Sequence, residues 1–404
     1  MNIFKNKNFL MLTMARLIIN FADSLFYIVC IWYTSKILGS ALYTSIAVFL
    51  FMLPEILSFF TGPIIDRVNP KKILLFSLAS QLLLLIVLIG LFNYINIYIL
   101  LIIMFLSAFM SNITYPIEDT MIPQIVSTDE LVAANSVVTI TYKIFDSFFN
   151  GISGFMLAAF TTVNLFKIDI IVFSIPVIII SLMRFAYTRG GEDYSINEYF
   201  QDLKGGVVFI KDSPILTILL PLILVNFFNS SNEVVLPFFC QQYEKAPEVY
   251  GMILALKGVG GVLGAILINY VKKFLPTGKL LSFLLICNGM LWICFIFIGN
   301  LCIGYIFVFF TYIFYGMYNI IYGVLFQAIT PVDMLGRVTT GIDTTITIAM
   351  PMGALFGGWI VKLMPYNLAM IFSGISVITT GIIYLRNKAV NNLDYVDKLE
   401  KIQL

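Results

Sequence analysis

The chain has 404 residues, of which 60% are apolar and only 11% charged, with a mean hydropathy of +0.97. Soluble domains carry roughly 25% charge, so this composition excludes an ordinary cytosolic enzyme and a disordered chain. Lys and Arg total 24 against 22 acids, a balance with no basic field for nucleic acid. The solvent that suits such a surface is lipid.

A spanning helix needs about 20 mostly apolar residues. Runs of that kind, broken at Gly, Pro, Asn and charge clusters, fall at approximately 9–35, 42–63, 73–92, 96–121, 133–160, 165–187, 214–239, 249–270, 279–299, 302–326, 338–361 and 366–386. The runs are continuous and do not alternate, so helices are expected and a barrel is not. Met1 to Asn8 is short and basic and leads directly into the first run, which reads as an uncleaved first span.

With the N-terminus inside, 17 loop and terminal Lys and Arg fall on the inner side and only Lys36, Lys167, Lys245 and Lys362 on the outer. This bias predicts both termini in the cytoplasm. The longest polar stretch, Thr188 to Ser213, divides six spans from six. It predicts an N-terminal lobe over 1–187, a linker with a surface amphipathic helix over 188–213, a C-terminal lobe over 214–390 and a tail over 391–404.

The halves are weakly similar. Ile125-Val126-Ser127-Thr128-Asp129-Glu130-Leu131 recurs as Ile329-Thr330-Pro331-Val332-Asp333-Met334-Leu335. Each leads into a helix with mid-span glycines: Gly151 and Gly154, then Gly353, Gly357 and Gly358. Parallel six-span repeats predict two lobes about an axis along the membrane normal, with a site between them at mid-depth.

The loop after the second span reads Gly62-Pro63-Ile64-Ile65-Asp66-Arg67-Val68-Asn69-Pro70-Lys71-Lys72. It resembles the major facilitator superfamily signature G-x-x-x-D-R-x-G-R-[RK]. Gly62, Asp66, Arg67 and Lys71 match; Asn69 and Pro70 replace the usual Gly and Arg. Gly62 permits close helix approach. Asp66 can face a helix N-terminus of the other lobe, with Arg67 and the lysines holding nearby carboxylates.

Pro116, Pro123, Leu131, Ala134-Asn135, Gln327, Pro331 and Gly336-Arg337-Val338 are similar to the drug-exporter branch that includes macrolide-efflux proteins and the enterobactin exporter. Asp202-Leu203-Lys204-Gly205 and Asp212-Ser213-Pro214 fit the same branch. The resemblance implies twelve helices in two six-helix lobes, with the first, fourth, seventh and tenth spans lining a cavity. It also implies export by proton antiport, with Arg337 joining the signature-loop residues in gating. Asn150-Gly151-Ile152-Ser153-Gly154 stands where antiporters often carry Gly-Pro, and the proline is missing.

Ionisable groups inside spans are costly and point to function. The embedded set is Arg16, Asp23, Glu55, Glu118, Asp119, Lys143, Asp146, Glu233, Lys257 and Asp343. Asp23 shares a face with Arg16, Asn20 and Tyr27, and is a candidate for a proton or a cationic substrate; the other reading is a salt bridge from Arg16 to another helix. Lys143 and Asp146 either pair locally or form a proton relay. Asn226, Asn229 and Glu233 form a polar stripe; Glu233 is either a proton or substrate site or the charge partner of Lys257. By the resemblance, Glu118 or Asp119 holds Arg67. Glu55 and Asp343 either gate or meet vestibule water. Tyr312, Tyr315, Asn319 and Tyr322 share a face suited to amphiphilic or cationic compounds, or to plain aromatic packing.

There is no His, and hence no imidazole catalysis or His-based metal site. Cys30, Cys240, Cys287, Cys294 and Cys302 form no C-x-x-C pair and read as small apolar residues. Gly258-Val259-Gly260-Gly261 is too loose for a nucleotide loop. The expectation is therefore a carrier without cofactor or metal. It would export an amphiphilic small molecule against protons, as a monomer, from a cell whose Asn, Ile, Lys, Phe and Tyr usage hints at an AT-rich bacterial genome. Two alternatives stand beside it: export of a narrow natural product such as a siderophore or peptide, and a lipid-moving or immunity role.

Overall fold

A computed structural model describes residues 3–37, 39–58, 69–94, 96–185, 205, 208–211, 213, 215–331 and 335–395. The described residues are helical with short connections and no strand. The helices are α1 (Lys7–Ile37), α2 (Ala41–Ser58), α3 (Pro70–Gly90), α4 (Ile97–Ile125), α5 (Leu131–Ala159), α6 (Thr162–Leu182) and α7 (Ile215–Cys240). They continue as α8 (Ala246–Val271), α9 (Thr277–Phe297), α10 (Leu301–Ile329), α11 (Leu335–Thr347), α12 (Met350–Ile360), α13 (Tyr366–Arg386) and α14 (Lys388–Asn391). Each expected span coincides with a helix, except that α11 and α12 share the eleventh. Nine helices among the described residues are long and apolar enough to cross a membrane. Their outward faces are apolar too, with Phe76, Leu83, Ile171, Leu182 and Leu220 exposed.

The side on which α1 begins is the near side; the opposite is the far side. Near-side ends are tied by Asn6 Nδ2 donating to the Ile125 carbonyl at 2.7 Å and Asn8 Nδ2 to that of Arg184 at 2.8 Å. Far-side helix starts are capped by side chains. Asn96 accepts from Ile99 N–H, Thr161 from Asn164 N–H, and Asn300 from the N–H groups of Cys302 and Ile303.

Helix packing repeats between the halves. In the first half α1 packs on α5 and α6, α2 on α4, and α3 on α4 and α6. In the second α7 packs on α12 and α13, α8 on α10, and α9 on α10 and α13. Adding six spans converts one set into the other. The two most extensive contacts between the halves, α5 on α8 and α2 on α12, also exchange under that shift. Along its apolar 18-residue stretch α1 is 67% buried, whereas α3 and α6 are 33% buried along theirs. α1 therefore belongs to the interior, and α3 and α6 to the periphery.

Both of these extensive contacts are made at glycines. A Cβ on Gly251 would overlap the carbonyl of Gly154, and one on Gly358 would overlap the Ser45 side chain. These backbones approach closely because neither residue carries a side chain. In the eleventh span the helix breaks at Ile348-Ala349. Pro351 has no N–H to continue the ladder. Upstream, the hydroxyls of Thr345 and Thr347 donate to the carbonyls of Gly341 and Asp343.

Of the expected linker, residues 205, 208–211 and 213 are described; 205 and 208–211 are helical, with Phe209 and Ile210 buried. Gly62, Asp66 and Arg67 of the signature loop lie outside the described residues. Lys71 is described, and it corrects the expected carboxylate contact. Its Nζ donates to the carbonyls of Ser181 at 3.1 Å and Met183 at 2.5 Å, capping the C-terminus of α6 within its own half. The five cysteines are free, Cys30 and Cys240 being buried.

Candidate functional site: a polar cavity between the halves

A cavity of about 430 Å³ lies between the two halves. α1 and α4 contribute Asn20, Asp23, Tyr27, Ser111, Asn112 and Tyr115 to its wall. From α7 come Asn229, Asn232 and Glu233; from α8, Tyr250 and Lys257; from α10, Tyr312, Tyr315 and Tyr318. The spans named by the resemblance thus line it, joined by α8.

Asp23 stands mid-way along α1. Its Oδ2 accepts from Ser111 Oγ at 2.5 Å and from Tyr115 OH at 3.2 Å. Two turns toward the near side, Arg16 Nη1 lies 2.7 Å from Asp119 Oδ1 and 3.6 Å from Glu118 Oε2. The Arg16 guanidinium also lies 5.3 Å from the Tyr115 ring centroid. α1 and α4 run antiparallel here, so residue pairs 23/111 and 16/118 fall opposite one another. Tyr115 touches both levels, its ring beneath Arg16 and its hydroxyl on Asp23.

Across the cavity, Glu233 Oε2 accepts from Tyr27 OH at 2.7 Å, a bond between the halves. Toward the far side, the Trp32 and Tyr250 rings stack with centroids 5.3 Å apart. Beyond them Gln241 Nε2 donates to Ser35 Oγ at 3.3 Å. Three successive layers therefore join α1 to α7 and α8 above the cavity. On the near side Glu55 lines the cavity yet is exposed, and Thr347 Oγ1 donates to it at 3.5 Å. Asp343 is exposed as well.

Lys257 does not pair with Glu233. Among the described residues no carboxylate lies within ion-pair distance of it, and its Nζ sits 5.1 Å from the Tyr312 ring centroid. Aromatic contacts link Tyr312 to Tyr315 and Tyr315 to Tyr318, at 5.5 and 5.2 Å. Asn229 Oδ1 accepts from Ser373 Oγ at 2.7 Å.

Several expected site residues fall elsewhere. Arg16 is absent from the cavity wall and is held by Glu118 and Asp119; the expected partner of those acids, Arg67, lies outside the described residues. Asn226 Nδ2 donates to the Leu222 carbonyl of its own helix. Asn319 is exposed and donates to its own Tyr315 carbonyl. Tyr322 is buried and its OH donates to Tyr384 OH at 3.2 Å, which in turn donates to the Ile218 carbonyl. Arg16, Asn226 and Tyr322 each lie seven residues toward the near side of a wall residue, Asp23, Glu233 and Tyr315. That is two turns, or about 10 Å: the face is shared, the depth is not. Asp146 lies in α5 and Arg337 in α11, with side chains outside the described residues, as is the side chain of Lys143.

Asp169, inside the sixth expected span, was not singled out in the sequence reading. It is fully buried in α6, and neither carboxyl oxygen has a hydrogen-bond partner among the described residues. Asn112, Asn150, Asn232, Asn288 and Tyr250 are further wall residues not proposed in advance as cavity residues. Their signal, a polar residue in an apolar run, was present but does not report which way a helix turns.

A family model described as transmembrane secretion effector, of the MFS type, matches residues 1–401. The chain belongs to that family. It is a multi-pass membrane transporter of the MFS type and not an enzyme. It is 26% identical over 272 residues to the uncharacterized MFS-type transporter YfiS of Bacillus subtilis (strain 168), covering 65% of this chain. The match spans 64% of the length of YfiS. With the uncharacterized MFS-type transporter YkuC of the same organism it shares 23% over 310 residues, 72% of this chain and 71% of YkuC. Among solved structures, the nucleoside transporter NupG superposes with a TM-score of 0.72 at 10% identity, covering 94% of this chain and 100% of that one. A bacterial homologue of the iron transporter ferroportin, in an inward-facing state, gives 0.67 at 15%, covering 94% and 98%. At these identities the likeness is one of fold.

Proposed function

We propose that this transporter exports amphiphilic small molecules, drug- or macrolide-like, in exchange for protons, and so contributes to multidrug efflux and antibiotic resistance. One observation carries the reading: Asp23 and Glu233 reach the same tyrosine-walled cavity from opposite halves. Aromatic walls with embedded acids suit amphiphilic organic compounds. The protein acts as a monomer in a bacterial cell membrane, with its near side and both termini in the cytoplasm.

The cycle is alternating access. In the state described here the far side is closed by the Tyr27–Glu233, Trp32–Tyr250 and Ser35–Gln241 layers. Substrate enters from the cytoplasm and meets Asp23 and Glu233. After the halves rock, protons from outside take those carboxylates and displace it. Proton release inside resets the carrier. Coupling requires that substrate bind the two proton states with different affinity.

The test is the internal pH of energised inverted vesicles during addition of antibiotics, dyes and macrolides. Particular compounds dissipate the gradient, and Asp23→Asn, inserted and folded, abolishes the response. Full export against a gradient by Asp23→Asn sinks the assignment of Asp23. Silence across the panel moves the reading to a narrow natural product, such as a siderophore or peptide, or to a lipid-linked role.

A further inference from the structure

A lysine in a spanning helix is costly and needs a compensating group. Lys257 lines the cavity, and among the described residues it has a ring under its ammonium but no carboxylate in ion-pair range. The acid nearest in role, Glu233, has Tyr27 as its partner. The cavity therefore presents separated charges: Asp23 and Glu233 on α1 and α7, and Lys257 on α8 beside the tyrosines of α10. A purely cationic ligand would be drawn to the acids but repelled by the ammonium. A neutral ligand would leave the ammonium with the Tyr312 side chain and the more distant Glu233 as counter-groups.

The rest of the wall is rich in hydrogen-bonding groups. Six asparagines line it: Asn20, Asn112, Asn150, Asn229, Asn232 and Asn288. Several are half used. Among the described residues, Asn229 accepts from Ser373 and keeps its N–H groups, whereas Asn112 and Asn288 donate to the backbone and keep their carbonyls. Donors and acceptors are thus both on offer.

We propose that the transported molecule is zwitterionic, with an acidic group that binds Lys257 and a basic nitrogen on the Asp23 and Glu233 side of the cavity. The inference rests on the export reading above and narrows its substrate class. A carboxylate on Lys257 gains a charge-assisted bond to a half-buried ammonium. Lys257 is then the specificity-determining residue, separating zwitterions from the simple cations that two acids alone would take.

A matched dye pair tests it. Rhodamine 6G is an ester and a cation; rhodamine 19 is the corresponding free acid and a zwitterion. Binding of each to the full chain in lipid nanodiscs is read by fluorescence anisotropy, with empty nanodiscs subtracted. The wild type binds the acid at least about tenfold more tightly than the ester, as one charge-assisted bond of roughly 1.5–3 kcal/mol allows. Lys257→Met removes that preference, Lys257→Arg keeps it, and Lys257→Gln in parallel covers the case that Met packs poorly. Equal binding, no binding of either dye, or a preference that survives Lys257→Met and Lys257→Gln overturns the proposal. The antiport reading fails separately: an intact acid preference with no dye-driven proton movement sinks antiport and leaves the zwitterion site standing.

Discussion

On the far side of the cavity, Tyr27 binds Glu233 from the opposite half, whereas Ser111 and Tyr115 reach Asp23 from within their own. A hydrogen bond to a charged acceptor is worth roughly 1.5–3 kcal/mol. Tyr27→Phe keeps the ring against Phe51 and deletes only that bond. The expected outcome is a larger far-side-open population, read by faster labelling of a cysteine placed at Ser35; unchanged labelling would remove Tyr27 from the closure. Asp169 supplies a second prediction. A buried carboxyl with no partner costs the desolvation of a polar group, about 1–3 kcal/mol. Asp169→Val should raise the thermal unfolding midpoint in detergent, and a lower midpoint would mean that the carboxyl has a structural partner. The polar stripes on α1, α7 and α10 were legible from their helical spacing. Depth was not: Arg16, Asn226 and Tyr322 sit on the expected faces but two turns from the cavity wall.

Among the elements, α5 and α8 carry the closest contact between the halves. Because a single Cβ on Gly251 meets the Gly154 backbone, Gly251→Ala must push two helices apart, at a cost typical of overpacking, about 1–3 kcal/mol. Gly90→Ala is the matched control, since a Cβ there has nothing within 4 Å. Thermal melts should show a lower midpoint for the first and no drop for the second; equal midpoints would show that the crossing is loose. The mid-span glycines of the fifth and eleventh spans were readable from sequence as a feature of the repeat. Their partners were not, because a small residue says that something comes near, not what does. The break between α11 and α12 was missed for a similar reason: the apolar count over 338–361 is continuous, whereas Pro351 and the threonine hydroxyls act on the backbone ladder.

For the whole molecule, contacts that bind α1 to α7 and α8 accumulate on the far side, and a rocking carrier must break all of them together. Ser35 and Gln241 already touch at 3.3 Å. Ser35→Cys with Gln241→Cys, in a background freed of Cys30, Cys240, Cys287, Cys294 and Cys302, should form a disulfide that arrests transport and is reversed by reductant. Transport that continues in the oxidised protein would show that the far side stays closed throughout the cycle.

By itself the sequence determined the properties that composition and period control. These are a lipid-facing all-helical chain, the helix at each of twelve positions, their alternating direction, the repeat of the halves, and acids, asparagines and tyrosines on the inward faces. All are local, set by hydrophobicity along twenty residues and by the turn of a helix. The tertiary structure alone decided which polar side chains reach the cavity, that Arg16 pairs with Asp119 and Glu118, that Glu233 meets Tyr27 and not Lys257, and that Asp169 is buried. Each of those depends on the depth and rotation at which two helices meet. Side-chain packing across the bundle sets both, and one helix's own pattern contains neither.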